Sequence, residues 1–382
     1  MVWREVRPLV AEANRLRFGI VGCGGVVSEL HLPAWRALSA RAELVACCDS
    51  SAQAMDRVSQ EWPRARRFDS LDAFLTQAEG LDFAVLATPH NSHYAIASKL
   101  MAKGLHLLCE KPLTLGLGQA RELVAIAESR HLVLTPIHNY RYYDNARQAM
   151  DKSTRARLGD IVSVSVRLHS GPLHKLSTPW RWNEREQRTL LFDWCYHLAD
   201  LVLLFVGSVA ELRFVDAESD RTGLQQVAFG TLHQNGARGL FDLMVDSSCD
   251  SSEIRVLGEK GALSLEFAPI GFRMLPSQDN PVFRGLADLK RAIGYFRALA
   301  REKCGARLNR NGAGHLRLFA QFLDAVNGAG PNPVPTPQVL ELIGLLEAVA
   351  TRAYGEDLPW AAGKPAADAE TQAAPARFSS AS

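Results

Sequence analysis

The sequence predicts an α/β chain in two parts: a doubly wound parallel sheet, then an α+β part with an open, mainly antiparallel sheet. Three observations carry this. Short apolar runs alternate with helical spacing from Arg17 to Thr135. A glycine-rich turn, Gly22-Cys23-Gly24-Gly25-Val26-Val27, stands between the first strand and the first helix. Beyond Asn139 the rhythm becomes an apolar–polar alternation broken by turns such as Asn235-Gly236.

Each element follows from local signals. Arg17–Val21 reads as a buried strand that feeds the glycine turn and a helix running to Ser39. Leu44–Cys48 is the second strand and ends at Asp49. Helical spacing covers Ser51–Glu61, and Pro63 stops it. A short extended piece at Phe68 precedes a helix over Leu71–Gln77, with Asp69 or Ser70 as its cap. Leu81–Ala87 is a third apolar strand, closed by Thr88-Pro89. Tyr94–Lys103 is helical up to Gly104, Leu105–Cys109 extended, Leu117–Ser129 helical and Leu132–Thr135 extended. Strands separated by helices in this way pair in parallel and bury both faces.

In the second part an apolar helix is expected over Leu190–Phe205. Ile161, Ser163, Ser165 and Arg167 alternate with Val162, Val164, Val166 and Leu168, which predicts a half-buried antiparallel strand. Further strands are expected over Val209–Val215, Gln226–Leu232, Arg238–Val245, Glu253–Leu257 and Leu263–Phe267. Residues 284–303 form a basic helical stretch, and His315–Val326 and Pro337–Tyr354 are closing helices. The division expected is an extension over 1–16, a first domain over 17–139, a second over 140–360 and a disordered tail over 361–382.

Composition excludes several classes. A net charge of +2 supplies no field for nucleic acid or an anionic membrane. The seven cysteines are scattered, show no metal-site spacing and point to reduced thiols in the cytoplasm, so no metal is expected. Met1 to Arg7 has no apolar core, so no secretory leader is expected. The longest apolar run, Leu198–Val206, contains Asp200 and falls short of a membrane span of about 20 residues.

The chemistry sits where the elements end. Gly22 permits a tight turn, Gly24 lets a pyrophosphate approach the backbone, and Gly25, Val26 and Val27 open a helix whose N-terminus offers N–H donors. Asp49, ending the second strand, can accept the adenosine ribose hydroxyls and repels a 2′-phosphate, which favours NAD over NADP. Thr88, Pro89, His90 and Asn91 close the third strand, at the edge where doubly wound sheets bind ligands. Glu110-Lys111-Pro112 closes the next. There the Lys111 ammonium can polarise a substrate hydroxyl, Glu110 can hold the cofactor or orient Lys111, and Pro112 constrains the backbone.

Asp193 and His197 stand at i and i+4 of the apolar helix and so share a face. Buried polar groups need partners, and an imidazole near pKa 6.5 suits a general base. Asp193 would bind a neighbouring hydroxyl and tune the imidazole. A satisfied core histidine beside a capping aspartate accounts for that pair equally well.

In this order and spacing, Gly22-x-Gly24, Thr88-Pro89 with His93, Glu110-Lys111-Pro112 and Asp193-x-x-x-His197 resemble the glucose–fructose oxidoreductase/inositol dehydrogenase (Gfo/Idh/MocA) family. The resemblance runs from about Arg17 to Tyr354. It implies an NAD(P)-binding Rossmann domain, then a domain that carries the substrate and mediates a homo-dimer or tetramer through its sheet. It implies Lys111, Asp193 and His197 as the catalytic set, with His197 as acid/base, and sugars, inositols, sugar acids or nucleotide sugars as substrates. It places Asn139 and Arg141 beside the substrate, where Arg141 can grip a carboxylate or phosphate. Trp180 and Arg181, before the catalytic helix, offer an aromatic face and a further cation; packing between the domains explains both segments as well. Gln187-Arg188-Thr189 and Cys195 stand where the family often has glycine.

The expected activity is NAD-dependent hydride transfer at a secondary alcohol. Two alternatives stay open at this point: an NAD-binding regulator without activity, and a redox-neutral enzyme with tightly held NAD.

Overall fold

The computed structural model describes residues 15–171, 189–220, 223–245, 247–248, 250–267, 270–275, 289, 292–293 and 310–355. Trp180, Arg181, most of the basic stretch 284–303, residues 1–14 of the expected extension and the expected tail over 361–382 lie outside the described residues, and β1 begins at Leu16, inside the expected extension.

The first sheet holds β1 (Leu16–Val21), β2 (Ala42–Cys48), β3 (Arg66–Phe68), β4 (Phe83–Leu86), β5 (His106–Cys109) and β6 (Leu134–Pro136). Every pairing is parallel and the order is β3-β2-β1-β4-β5-β6. The chain leaves β1 toward one edge, returns at β4 and builds toward the other. The crevice between β1 and β4 is therefore where a ligand meets strand ends from both halves. All four residues of β4 are buried, as a strand covered on both faces requires.

Short helices α1 (Leu32–Ala37), α2 (Ala52–Glu61), α3 (Leu71–Gln77), α4 (His93–Ala102) and α5 (Leu117–Ser129) link these strands. Ser51 and Ser70 cap α2 and α3, each accepting a main-chain N–H at 3.3 Å. Two helices not expected from sequence, α6 (Asp144–Met150) and α7 (Lys152–Leu158), carry the chain out of this sheet.

The second sheet holds β7 (Ile161–His169), β8 (Val209–Asp220), β9 (Gly223–His233), β10 (Arg238–Met244), β11 (Ser251–Gly258), β12 (Ala262–Phe267) and β13 (Ile270–Leu275), in the order β13-β12-β11-β7-β10-β9-β8. It is mainly antiparallel, with one correction. β7 runs antiparallel to β11 but parallel to β10, so it is the mixed centre of the sheet. The expected alternation holds from Val164 to Leu168, whereas Ile161 is buried and Val162 is 47% exposed. The reversal lies beside the register shift between Leu257 and Gly258, which moves the start of β7 onto the other face.

A π-helical turn, Thr189–Cys195, continues into α8 (Tyr196–Val206). Together, Thr189–Val206 is long and apolar enough to be considered for a membrane span, and 89% of it is buried inside the protein. This corrects the shorter apolar run read from sequence.

Two closing helices, α9 (Arg310–Val326) and α10 (Thr336–Tyr354), return to the first sheet. Phe319 of α9 stacks on Trp35 with ring centroids 4.5 Å apart, and Phe322 meets Phe83 edge-on at 5.2 Å. The core is thus continuous from the parallel sheet into the returning helices, and α9 brings His315 beside His31.

Candidate active site

The carboxyl ends of β1 and β4 adjoin, those of β5 and β6 meet the π-helical turn and α8, and the candidate site lies along this edge. Gly22 turns the chain with φ +89°, a region that penalises any Cβ. A Cβ would also stand 2.5 Å from the Ala87 carbonyl of the next strand end. A Cβ on Gly24 would meet nothing within 4 Å, so the turn is open on the side where a pyrophosphate approaches. Val27 is buried, and Val26 packs against the same core. These residues fit a dinucleotide.

Asp49 ties this turn to the second strand end. Its Oδ2 accepts the Cys23 N–H at 2.6 Å and its Oδ1 the Ser51 N–H at 2.8 Å. The carboxylate is held at the rim of the crevice, where adenosine is expected.

Thr88 shares a hydrogen bond with Ser92 at 2.7 Å, while Pro89 and Asn91 are exposed. His90 and His93 are buried. The His93 ring bridges two carbonyls, Pro112 at 2.7 Å and Thr88 at 2.8 Å, so both ring nitrogens are committed. His93 is a brace between the two strand-end loops rather than a direct cofactor contact.

Glu110 follows β5, and its N–H bonds the Leu86 carbonyl at 2.7 Å. Its carboxylate meets His31 Nε2 at 2.8 Å and accepts the Lys111 N–H at 3.1 Å. Burial works against its ionisation. The His31 bond outweighs that, aided by the charges of His31, His315 and Lys111, and holds the pKa at about 2. His31, Glu110 and His315 bring potential ligand atoms within 4.8 Å of one another, a juxtaposition that no spacing in the sequence announces. The His31–Glu110 contact has the length of a hydrogen bond.

The Lys111–Pro112 peptide bond is cis. Lys111 Nζ donates to the Asp193 carbonyl at 2.8 Å and pairs with the Asp193 carboxylate. Both side chains are buried, so the ion pair is largely withdrawn from water. Asp193 lies in the π-helical turn and His197 at the start of α8. The wider turn changes what i and i+4 mean here: Asp193 reaches Lys111, while His197 stacks on Tyr140 at 4.0 Å with an interplanar angle of 5°. Burial pushes the His197 pKa well below its ordinary 6.5, the Lys111 charge pushes it further, and Asp193 and Glu110 oppose.

Two expectations for substrate contacts are corrected. Arg141 grips Asp200, from Nε at 2.8 Å and Nη2 at 2.5 Å, and its Nη1 bonds Gln338 at 2.7 Å. The fork that would take a substrate anion is occupied by a buried carboxylate. Asp200 also meets His138 at 2.7 Å, and His138 meets the Tyr196 hydroxyl at 2.8 Å. This network fastens the β6 end to α8. Asn139 is buried and donates to the Tyr143 hydroxyl at 3.2 Å, which makes it a support for the same turn. Cys195 is fully buried, so its larger side chain fills the interior.

Sequence reasoning missed His31, Asp200 and His315, and it gave His138 and Tyr140 no role beyond membership of the segment around Asn139 and Arg141. Asp200 within an apolar run was the available signal, because a buried carboxylate demands cationic partners.

A glycine turn open toward phosphate, a strand-end lysine on a buried aspartate, and a nearby histidine define an NAD-binding oxidoreductase of two sheets. Residues 16–138 match the family model for the oxidoreductase family with an NAD-binding Rossmann fold, and residues 144–264 match the GFO/IDH/MocA C-terminal domain. The chain belongs to the Gfo/Idh/MocA oxidoreductase family.

An uncharacterised oxidoreductase of Schizosaccharomyces pombe is 26% identical over 194 residues, covering 50% of this chain and 52% of that protein. The chain thus spans about half the length of that relative. The UDP-N-acetylglucosamine 3-dehydrogenase of Acidithiobacillus ferrooxidans is 34% identical over 123 residues, 32% of this chain and 37% of that enzyme. Among solved structures, the WlbA dehydrogenase from Bordetella pertussis, in complex with NADH and UDP-GlcNAcA, shares the fold. Its TM-score is 0.71 at 21% identity, over 89% of this chain and 97% of that one.

Proposed function

We propose that this chain oxidises a secondary alcohol of a sugar or nucleotide sugar with NAD, or reduces the matching ketone. The observation that carries the reading is the buried Lys111–Asp193 pair, whose two charges both act on His197. In the oxidation, Lys111 donates to the substrate oxygen and stabilises the developing alkoxide. His197, neutral at neutral pH, takes the hydroxyl proton on a ring nitrogen. Asp193 keeps the ammonium in place. The Gly22–Val27 turn and Asp49 would hold NAD, which would supply the hydride acceptor.

The preference for NAD over NADP rests on Asp49, whose charge at the rim repels a 2′-phosphate. Two of the nearby arginines are also engaged: Arg67 pairs with Asp56 at 2.7 Å, and Arg66 bonds the Gln77 carbonyl at 2.7 Å. A nucleotide-linked sugar is favoured by the A. ferrooxidans relative and by the ligand of the B. pertussis structure. Arg141 no longer supports that choice.

Pairing of two copies through the seven-stranded sheet is part of the reading. Phe214, Leu240 and Leu257 are 45%, 49% and 49% exposed on its outer face. A cytoplasmic site of action accords with Cys23, Cys47, Cys48, Cys109 and Cys195, which are all free thiols.

Absorbance at 340 nm tests the activity, with NAD and a panel of UDP-N-acetylglucosamine, its uronate, hexose phosphates, free sugars and inositols. A signal in the wild type that is lost in His197→Ala supports the reading. Equal rates in both proteins refute it.

A further inference from the structure

A catalytic imidazole is ordinarily aimed by a hydrogen bond from its second nitrogen to a carboxylate or carbonyl. Here Asp193 is taken by Lys111, and among the described residues neither ring nitrogen of His197 has a hydrogen-bond partner. What holds the ring is aromatic. Tyr140 lies face to face with it, centroids 4.0 Å apart and planes within 5°, and Tyr196 meets it only edge-on at 6.3 Å. Tyr140 is itself clamped. Phe267, at the end of β12, stacks on it at 5.1 Å and 18°, and Tyr143 at 4.6 Å and 29°.

We propose that Tyr140 is a positioning residue for His197: its ring fixes the imidazole plane while leaving both nitrogens free to exchange the substrate proton. The chemical reason is directional. The lone pair and the N–H of an imidazole lie in the ring plane, so a partner on the face orients both without consuming either. A hydrogen-bonding orienter would occupy one nitrogen. An electron-rich face 4.0 Å away also favours the imidazolium formed when the proton arrives. The second sheet thus enters the chemistry through Phe267, which carries the stack onto the nucleotide-binding half. This inference rests on the assignment of His197 as acid/base.

The experiment compares wild type, Tyr140→Phe, Tyr140→Leu and Tyr140→Met in the full chain, with thermal melts as the folding control. The first readout needs no substrate. It is the rate at which diethyl pyrocarbonate modifies His197, followed by peptide mass spectrometry, with buried His93 and His138 as internal controls. Loss of the ring is expected to speed modification of His197 at least fivefold in Leu and Met while His93 and His138 stay unchanged, and Phe is expected to match wild type. The second readout is turnover on the substrate class found at 340 nm. There kcat is expected to fall roughly 10–100-fold in Leu and Met with KM for NAD unchanged, and Phe to restore it.

Equal modification of His197 in all four proteins overturns the inference, and so does a Phe variant as impaired as Leu. A parallel rise at all three histidines also overturns it, because it marks general loosening. If His197→Ala turns over like wild type, the functional reading fails instead, and the modification rates still decide whether Tyr140 holds the ring.

Discussion

Lys111 Nζ is held from two directions by one residue, the carbonyl of Asp193 at 2.8 Å and its carboxylate. The cation is therefore fixed before any substrate arrives, and little ordering remains to be done on binding. The pair also joins the two halves of the chain, since Lys111 follows β5 and Asp193 precedes α8.

Removing the cation should separate chemistry from cofactor binding. Lys111→Met is expected to lower kcat by about 10²–10⁴-fold, the range for loss of a positioned acid or polarising group. The Kd for NAD, by titration calorimetry, should stay within a few-fold. A large loss of NAD affinity would place Lys111 in the cofactor site alone.

The pH profile follows from the direction of the His197 shift. Burial and the Lys111 charge disfavour the imidazolium, so the neutral base persists below the ordinary imidazole range. In the oxidation, the acidic limb of kcat/KM should lie below pH 6.5. Lys111→Met removes a positive charge, makes protonation easier and should move that limb to higher pH. A limb at or above 6.5 in the wild type would contradict the burial of His197.

Glu110 predicts a different pH effect, on stability. Its folded pKa of about 2 lies below the unfolded 4.5. Its contribution is complete above 4.5 and is lost as pH falls toward 2, because the unfolded chain takes up the proton first. Urea midpoints measured from pH 3 to 6 should fall steeply with acid in the wild type and less steeply in Glu110→Gln. Identical slopes would show that the His31 contact contributes nothing.

Asp200→Asn tests the buried network. The change leaves Arg141 without its counter-charge and turns one of the two acceptor oxygens shared by Arg141 and His138 into an amide donor. Breaking a buried pair on one side costs about 3–5 kcal/mol, which should appear in urea unfolding at pH 7. A loss below about 1 kcal/mol would mean that water replaces the carboxylate, as at a surface pair.

Gly22→Ala is expected to abolish measurable NAD binding while the second sheet stays folded. The positive φ and the Ala87 carbonyl at 2.5 Å both oppose a methyl group there. Retained NAD affinity would show that the turn relaxes without harm to the phosphate cradle.

The parallel sheet was legible because its signals are local. Apolar runs closed by Asp49, Thr88 and Glu110 each report a strand and its end within a few residues. The Ser51 cap and the Gly22 turn are equally local. The i, i+4 reading of Asp193 and His197 assumed an α-helical turn, since periodicity does not distinguish a π-helical turn from an α-helical one. The parallel pairing of β7 with β10 was illegible for a related reason. Alternation fixes which face a residue takes and says nothing about the direction of its neighbour.

What the sequence determined by itself is the order of strand ends and the residue types placed on them: a glycine turn, a carboxylate, a lysine and a histidine. Propensity, capping and burial period act over neighbours in the chain, so these could be read residue by residue. The tertiary structure decided the partners. It gave Arg141 to Asp200 instead of a substrate anion, Lys111 to Asp193, His31 to Glu110, and the face of His197 to Tyr140. Each of these contacts joins residues far apart in sequence. A buried charge or ring takes whichever partner the packed core delivers, and only the packed core shows which one that is.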